Sequence, residues 1–242
     1  MAVWLPINGQ HTGTVAEKYP NLLVPAGLTF SIWGLIYLAL LCFTIYQLWL
    51  AFWGQHPQEL SRLMTRMRYW WMLSCIANAC WLFAWHYELL PLSLLLMLLL
   101  LASLIVIRHK FAIGDTAAPW REKLFIHFPF SLYLSWVGIA TIANITALMV
   151  YWGWHGQGIS QETWSVLMIS LCAGVSAYMI LQHHSITYGL VNAWALYGII
   201  LKRKHSGIIS EHVVIQAAII AIGLIAIAIS WKLYREQRVK DV

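Results

Sequence analysis

Long runs of apolar residues, separated by short polar segments, extend along most of the chain. Bilayer hydrocarbon is about 30 Å thick and an α-helix rises about 1.5 Å per residue, so about 20 apolar residues mark a membrane span. Seven stretches approach or exceed that length: residues 26–50, 69–85, 89–107, 124–151, 164–181, 186–201 and 213–231. In lipid the backbone must satisfy its own hydrogen bonds, which unbroken segments achieve only as helices. We therefore expect an all-α fold, a polytopic membrane helix bundle of about seven transmembrane helices.

Two features of this pattern concern individual spans. Only three residues, 86–88, join the second and third spans, and Pro91 stands at a helix start, where its missing N–H costs little. These two spans should form a tight antiparallel hairpin. The sixth span has 16 residues and includes Asn192, so it is the weakest of the seven and is expected to be short, tilted or partly re-entrant.

Composition supports a membrane protein rather than a soluble one. Hydrophobic residues make up 61% of the 242 residues and charged residues only 10%. The formal net charge of +6 could suggest a nucleic-acid partner, but the basic residues stand in short clusters beside apolar segments. Orientation in a bilayer explains such clusters better, so we expect the lipid bilayer as a partner and no nucleic acid.

The lysines and arginines also predict an orientation. With seven spans, eleven of them fall on one side: Arg62, Arg66, Arg68, Arg108, Lys110, Arg121, Lys123, Lys232, Arg235, Arg238 and Lys240. The positive-inside rule makes that side cytoplasmic, which places the N-terminus outside and the C-terminus in the cytoplasm. The cluster 202–204 would then face outward. Either the sixth span does not cross fully, or the early basic loops dominate and the cluster is tolerated, which we favour.

Cysteine and histidine do not form a recognisable metal site. The four cysteines lie in apolar stretches without paired spacing, so we interpret them as small core residues: Cys42, Cys75, Cys80 and Cys172. His183 and His184 end the fifth span and His127 begins the fourth. Adjacent helical residues point about 100° apart and do not easily share one ion, so these histidines are expected to be interfacial polar residues. No metal ligand and no catalytic residue is assigned.

Tryptophan is unusually abundant. Three segments of the chain contain tryptophans that lie away from the ends of the predicted spans. The chain has 15 tryptophans, more than the aromatic belts at two membrane interfaces require. Residues 25–37 contain Pro25, Phe30, Trp33 and Tyr37; residues 78–81 are Asn-Ala-Cys-Trp; residues 129–144 include Trp136, Ala140 and Asn144. In this order, and each on a predicted span, they resemble three motifs of the TspO/MBR family of tryptophan-rich sensory proteins and translocator proteins.

The resemblance covers about residues 5–154 and implies a division of the chain. Residues 1–154 resemble the helical core of the family without its usual first helix, and residues 155–242 add three transmembrane helices and a basic cytoplasmic tail. Ala26 stands where the family has a second proline, and one residue fewer separates Phe30 from Trp33. Long members with extra spans are bacterial, so the resemblance implies a multi-pass protein of the bacterial inner (cytoplasmic) membrane.

Helical spacing aligns the motif residues on one face of each span, because residues three or four apart share a face. The aligned residues are Trp33 with Tyr37, then Asn78 with Trp81 and Trp85, and finally Trp136 with Ala140 and Asn144. These faces could converge on one cavity, where indoles and two amides would suit a flat, largely hydrophobic ligand. The alternative is packing, with the asparagines bonding between helices at about 0.6 to 2 kcal/mol each.

The family resemblance favours the cavity and implies a ligand. It implies a membrane receptor or sensor that binds a tetrapyrrole, such as a porphyrin or heme, or else a sterol-like molecule, with no cofactor required. Trp33 and Trp136 would stack on the ligand, and Asn78 and Asn144 would bind its polar edges. A transporter or exporter of such molecules and a porphyrin-degrading enzyme are the alternatives. No charged residue lies in the middle of a predicted span, which disfavours an ion-driven carrier.

Small residues on the fourth span raise the question of a homodimer. Ser131, Ser135, Ala143 and Ala147 recur at intervals that permit close helix approach. They could form a dimer interface or pack within one chain, and we favour packing within the chain.

Overall fold

The fold is a bundle of helices, known from a computed structural model that describes residues 6–54, 56–153, 158–206 and 208–240. The described residues contain nine helices and no β-strand. We label them α1 (Thr12–Glu17), α2 (Ile32–Phe52), α3 (Pro57–Met67), α4 (Trp70–His86), α5 (Leu90–Lys110), α6 (Trp120–Tyr151), α7 (Gln161–Leu181), α8 (Ile186–Ser206) and α9 (His212–Lys240). A 3₁₀ turn, Gly27–Ser31, leads into α2, and α6 contains one π turn, Lys123–His127. The predicted all-α membrane bundle is confirmed.

Helix length and composition support five membrane crossings directly. Within the described residues, the helices that are both long enough and apolar enough to cross a membrane are Gly27–Phe52, Leu90–Lys110, Trp120–Tyr151, Gln161–Leu181 and His212–Arg238. The second and sixth predicted spans correspond to α4, which has 17 residues, and α8, which has 21 and ends in a basic cluster. The chain is therefore a multi-pass membrane protein, and the total of seven crossings stays a prediction.

The hairpin between α4 and α5 is as the sequence predicted. α4 ends at His86, α5 begins at Leu90 with Pro91 in its first turn, and the two helices pack against each other. Glu88 in the connection has a φ of 58°, a left-handed conformation that lets the chain reverse within a few residues.

Two clusters of buried residues hold the bundle together, and α8 contributes to both. The larger cluster unites α2, α4, α5 and α6, and the smaller one unites α7, α8 and α9. From α8, Val191 and Ala195 belong to the larger cluster and Leu196 to the smaller. At the contact between α6 and α8 the Ser135 hydroxyl donates to the Tyr188 carbonyl at 2.9 Å. The predicted boundary between residues 154 and 155 lies outside the described residues.

α8 runs from one end of the bundle to the other. At its start, a Cβ built on Gly114 would lie 1.8 Å from the His183 carbonyl oxygen, so the turn before α8 packs tightly on the loop after α5. At its end, Lys202 pairs with Glu17 at 2.8 Å, next to the N-terminal segment. Arg203 pairs with Glu211 at 3.1 Å. These carboxylates offset part of the positive charge of the cluster, which favours the explanation that an outward-facing cluster is tolerated.

The cysteines differ from the expectation that they are core residues. Cys42, Cys75 and Cys80 are free and exposed on the outside of the bundle, where a membrane protein meets lipid, so the expectation was wrong for these three. The physical reason is that a thiol is small and apolar enough for either environment. Cys172 is half-buried, and its thiol donates to the Asn192 side-chain oxygen at 3.2 Å.

The small residues of α6 lie inside the chain. Ser131, Ser135 and Ala147 are all buried within a single copy of the protein. They allow the close approach of neighbouring helices that small side chains provide. Their position agrees with packing within the chain.

Candidate ligand-binding cavity

An apolar cavity lies where α2, α4, α6, α7 and α8 meet. Its free space is about 80 Å³. Six of the eight predicted site residues line it: Trp33, Trp81, Trp85, Trp136, Ala140 and Asn144. Motif residues from three separate helices therefore do converge on one space.

The tryptophans of the cavity wall pack on one another. The Trp33 and Trp81 rings stack with centroids 5.6 Å apart, and Trp81 stacks on Trp85 at 6.2 Å. Trp136 meets Trp33 edge to face at 6.3 Å, and Phe30 meets Trp136 in the same way at 6.1 Å. Each of the four indoles is at most 3% exposed. They form a continuous aromatic wall, in geometries that favour pairing of rings.

Two of these indoles have an unused hydrogen-bond donor. Trp85 Nε1 donates to the Thr12 carbonyl at 3.1 Å. Trp81 Nε1 and Trp136 Nε1 are buried and have no partner among the described residues. A buried donor without a partner costs about 1 to 3 kcal/mol, so a ligand acceptor at these atoms would recover energy that the protein itself leaves unused.

Tyr37 and Asn78 lie beside the cavity rather than on its wall. The Tyr37 ring stacks on Trp33 at 5.5 Å, and Asn78 Nδ2 donates to the Tyr37 hydroxyl at 3.3 Å. The bond between them links α2 to α4 and holds the Tyr37 ring that packs on Trp33. The two residues position an aromatic ring of the wall and do not face the free space.

Asn144 reaches the cavity, but its polar atoms are used by the protein. Its Oδ1 accepts from the Ser93 hydroxyl at 2.6 Å, and its Nδ2 donates to the Ala140 carbonyl at 3.1 Å. The first bond joins α5 to α6, a contact of the kind that contributes about 0.6 to 2 kcal/mol between membrane helices. Asn144 therefore acts first as an interhelical link.

Sequence analysis missed the part of the wall that comes from outside the three motifs. Helices α7 and α8 supply Met168, Ile169, Cys172, Ala195, Leu196 and Ile199, and α1 supplies Thr12 and Ala16. These residues carry no motif, and their apolar character is shared with many lipid-facing neighbours. Only packing distinguishes them, because nothing in their local pattern marks an inward face.

The N-terminal segment lines part of the cavity and is held to the α4–α5 hairpin by polar contacts. Asn8 Nδ2 donates to the His86 carbonyl at 3.1 Å, and Tyr19 donates to the Glu88 carboxylate at 2.9 Å. Lys18 forms an ion pair with the same carboxylate. This hydrogen bond from Lys18 holds the pKa of Glu88 below its usual value, whereas burial and the bond to Glu88 raise the pKa of Tyr19 to about 12.

The described part of the cavity wall carries no charged side chain. No aspartate, glutamate, lysine, arginine or histidine lines it there. No group of three or more potential metal ligands occurs elsewhere among the residues that the structure describes. The arrangement therefore suits binding through apolar contact and a few hydrogen bonds.

Comparison with known proteins agrees with this architecture. A family model described as TSPO-like protein matches residues 1–231. The chain belongs to this family. The match extends beyond the three tryptophan motifs through α7 and α8 and most of α9, so these helices are part of what the family model describes. No curated protein and no solved structure matches the chain significantly.

Proposed function

We propose that this TspO-type membrane protein binds a hydrophobic small molecule in the cavity between α2, α4, α6, α7 and α8. A tetrapyrrole is the first candidate and a sterol-like molecule the second. The observation that carries the proposal is an apolar cavity lined by buried indoles, two of which, Trp81 and Trp136, have an Nε1 without a partner among the described residues. In this proposal the protein acts as a receptor in a bacterial inner membrane, with its C-terminus in the cytoplasm.

The wall predicts the chemistry of the bound part of the ligand. The Trp81 and Trp136 N–H groups have no partner among the described residues, whereas Asn144 and Trp85 are hydrogen-bonded within the protein. A ligand should therefore present hydrogen-bond acceptors, such as a ring nitrogen or an oxygen, on an otherwise apolar body. Carboxylates, as in a porphyrin side chain, should stay outside the wall, because burying a charge without a partner is costly.

Binding of a tetrapyrrole requires the cavity to widen. Its free space of about 80 Å³ is well below the roughly 300 to 1,000 Å³ of ordinary ligand pockets. In this proposal the segment around α1 moves, and the polar contacts that hold it to the hairpin at the protein surface break. Opening of this segment would admit ligand from the N-terminal end of the bundle.

Tryptophan fluorescence tests the proposal on purified protein in detergent. Protoporphyrin should quench the fluorescence saturably after correction for absorbance. Trp136→Ala should weaken binding by about tenfold, which corresponds to about 1.4 kcal/mol. The matched control is Trp231→Ala on α9, where the side chain is 54% exposed and does not line the cavity, and binding should be unchanged. Quenching that does not saturate, or that both variants weaken equally, would contradict the proposal.

The same preparation separates binding from the two alternative activities. Accumulation of porphyrin in proteoliposomes, beyond that in protein-free vesicles, would favour transport. Conversion of bound porphyrin in the dark would favour an enzyme. A stoichiometric complex with neither property is the outcome expected for a receptor.

A further inference from the structure

A second, larger recess lies at the opposite end of the bundle from α1. It opens between the loop after α5, the start of α6, the turn between α7 and α8, and the last turns of α9. Its volume is about 860 Å³. We call it the basal groove and define it by Lys123, Phe128, Leu181, Ser185, Lys232 and Arg235.

The charges of the basal groove leave a positive excess. Lys232 is buried and pairs with Glu236 at 2.7 Å, so this pair contributes little net charge. Lys123 donates to the uncharged Thr116 carbonyl, and Arg235 has no ion pair or hydrogen bond among the described residues. The remaining carboxylate, Asp115, accepts from the Ala117 amide in its own loop. Lys123 and Arg235 are therefore available to an anion.

The groove also has polar and apolar surface in the arrangement that a lipid requires. The hydroxyl of Ser185 is buried without a partner in the described part of the chain. His127 Nε2 likewise has no hydrogen bond there, since the Glu122 carboxylate is 3.8 Å away. Next to these groups, Phe128 and Leu181 expose apolar surface on the outside of the bundle. A headgroup could thus bind in the groove while its acyl chains lie along the helices.

The position of the groove matches the level of lipid headgroups. Both α6 and α9 change from apolar to basic sequence where they border it, as helices do at a membrane interface. Basic pockets between membrane helices on the positive side of a protein are suited to anionic lipid headgroups.

We propose that the basal groove binds the phosphate headgroup of an anionic phospholipid from the adjacent leaflet. Lys123 and Arg235 contact the phosphate, Ser185 hydrogen-bonds to the headgroup, and Phe128 and Leu181 contact an acyl chain. The site is separate from the aromatic cavity, and neither proposal depends on the other.

Lipid titration of the full-length protein tests this assignment. Phosphatidylglycerol added to protein in neutral detergent should bind in a saturable manner by native mass spectrometry and should raise Tm, and phosphatidylcholine should do so at least tenfold more weakly. The double variant Lys123→Gln with Arg235→Gln should lose this preference. The control, Arg62→Gln with Lys110→Gln, removes the same two charge types from exposed positions at the same end outside the groove and should retain it.

Three outcomes decide the proposal. Equal binding of both lipids by the wild-type protein, or an unchanged preference in the groove variant, would overturn it. Stabilisation by inorganic phosphate alone equal to that by phosphatidylglycerol would show that a soluble anion is the ligand and would also overturn it. If the double variant does not fold, Arg235→Lys and Lys123→Arg must keep the preference, and added salt must weaken the wild-type preference, because exposed charges are screened.

Discussion

The indole rings of Trp33 and Trp81 stack with their centroids 5.6 Å apart and their planes inclined by 28°. Trp33 belongs to α2 and Trp81 to α4, so this contact joins two helices that lie far apart in the sequence. The pair belongs to the aromatic wall, whose indole N–H groups differ in one respect. Trp85 donates its N–H to the Thr12 carbonyl, whereas the N–H groups of Trp81 and Trp136 have no partner in the part of the chain that the structure describes.

Replacing Trp81 and Trp85 separately by phenylalanine should give opposite results. Trp81→Phe removes an unpartnered donor, so ligand affinity should fall about fivefold, the effect of one hydrogen bond of about 1 kcal/mol. Trp85→Phe removes the bond to Thr12, so it should lower Tm more than Trp81→Phe does and change affinity less. Porphyrin quenching and thermal unfolding measure the two effects. If the Trp81 variant keeps full affinity, its N–H does not bind the ligand.

The approach of α8 to the start of α2 should depend on Gly198. A Cβ there would lie 1.9 Å from the Thr29 hydroxyl oxygen, and the Gly198 carbonyl accepts from the Ala26 amide at 3.0 Å. Gly198→Ala should therefore destabilise the protein by about 1 to 3 kcal/mol, as overpacking does. Gly174→Ala on α7 is the control, because nothing lies within 4 Å of its added methyl group. Unfolding in detergent should show a loss for the first variant only.

Acid should loosen the N-terminal segment through Glu88. The pKa of Glu88 is below its ordinary value of 4.5 in the folded protein, mainly because Lys18 donates to it. Its stabilising contribution is therefore present above pH 4.5 and is lost as the pH falls through the lower, folded-state pKa. Limited proteolysis near residue 20 between pH 7 and pH 3 should show this release in the wild-type protein.

Two variants serve as controls for that titration. Glu88→Gln should be cleaved readily at every pH, because an amide does not form the ion pair with Lys18. Glu17→Gln alters another carboxylate at the same end, one that pairs with Lys202, and should keep the pH dependence. A wild-type protein whose cleavage does not change with pH would show that the Glu88 contacts do not retain the segment.

Cysteine labelling should establish whether α8 crosses the membrane. Since Lys202 pairs with Glu17, seven crossings place His205 on the same side as Glu17 and opposite to Lys110. In intact cells, a membrane-impermeant maleimide should label Glu17→Cys and His205→Cys and should not label Lys110→Cys. Protection of His205→Cys together with Lys110→Cys would contradict seven crossings. The native cysteines lie in apolar stretches, so a background without them removes their contribution.

The sequence by itself determined the elements of this protein and which residues stand out within them. The length of the apolar stretches predicted an all-α membrane bundle, since lipid leaves the backbone no other way to pair its hydrogen-bonding groups. The short connection with Pro91 predicted the α4–α5 hairpin. Helical spacing and the resemblance to TspO/MBR motifs together selected the tryptophans that form the aromatic wall.

Only the tertiary structure decided which faces of these helices pack against one another. Membrane helices are apolar on every side, so periodicity does not tell Ile169, which lines the cavity, from Leu167, which is exposed. It equally could not show that Asn144 bonds to Ser93, that Asn78 bonds to Tyr37, or that α1 lines the cavity. Those relations depend on which helix faces which, and in lipid that is decided by shape and by the few polar pairs available.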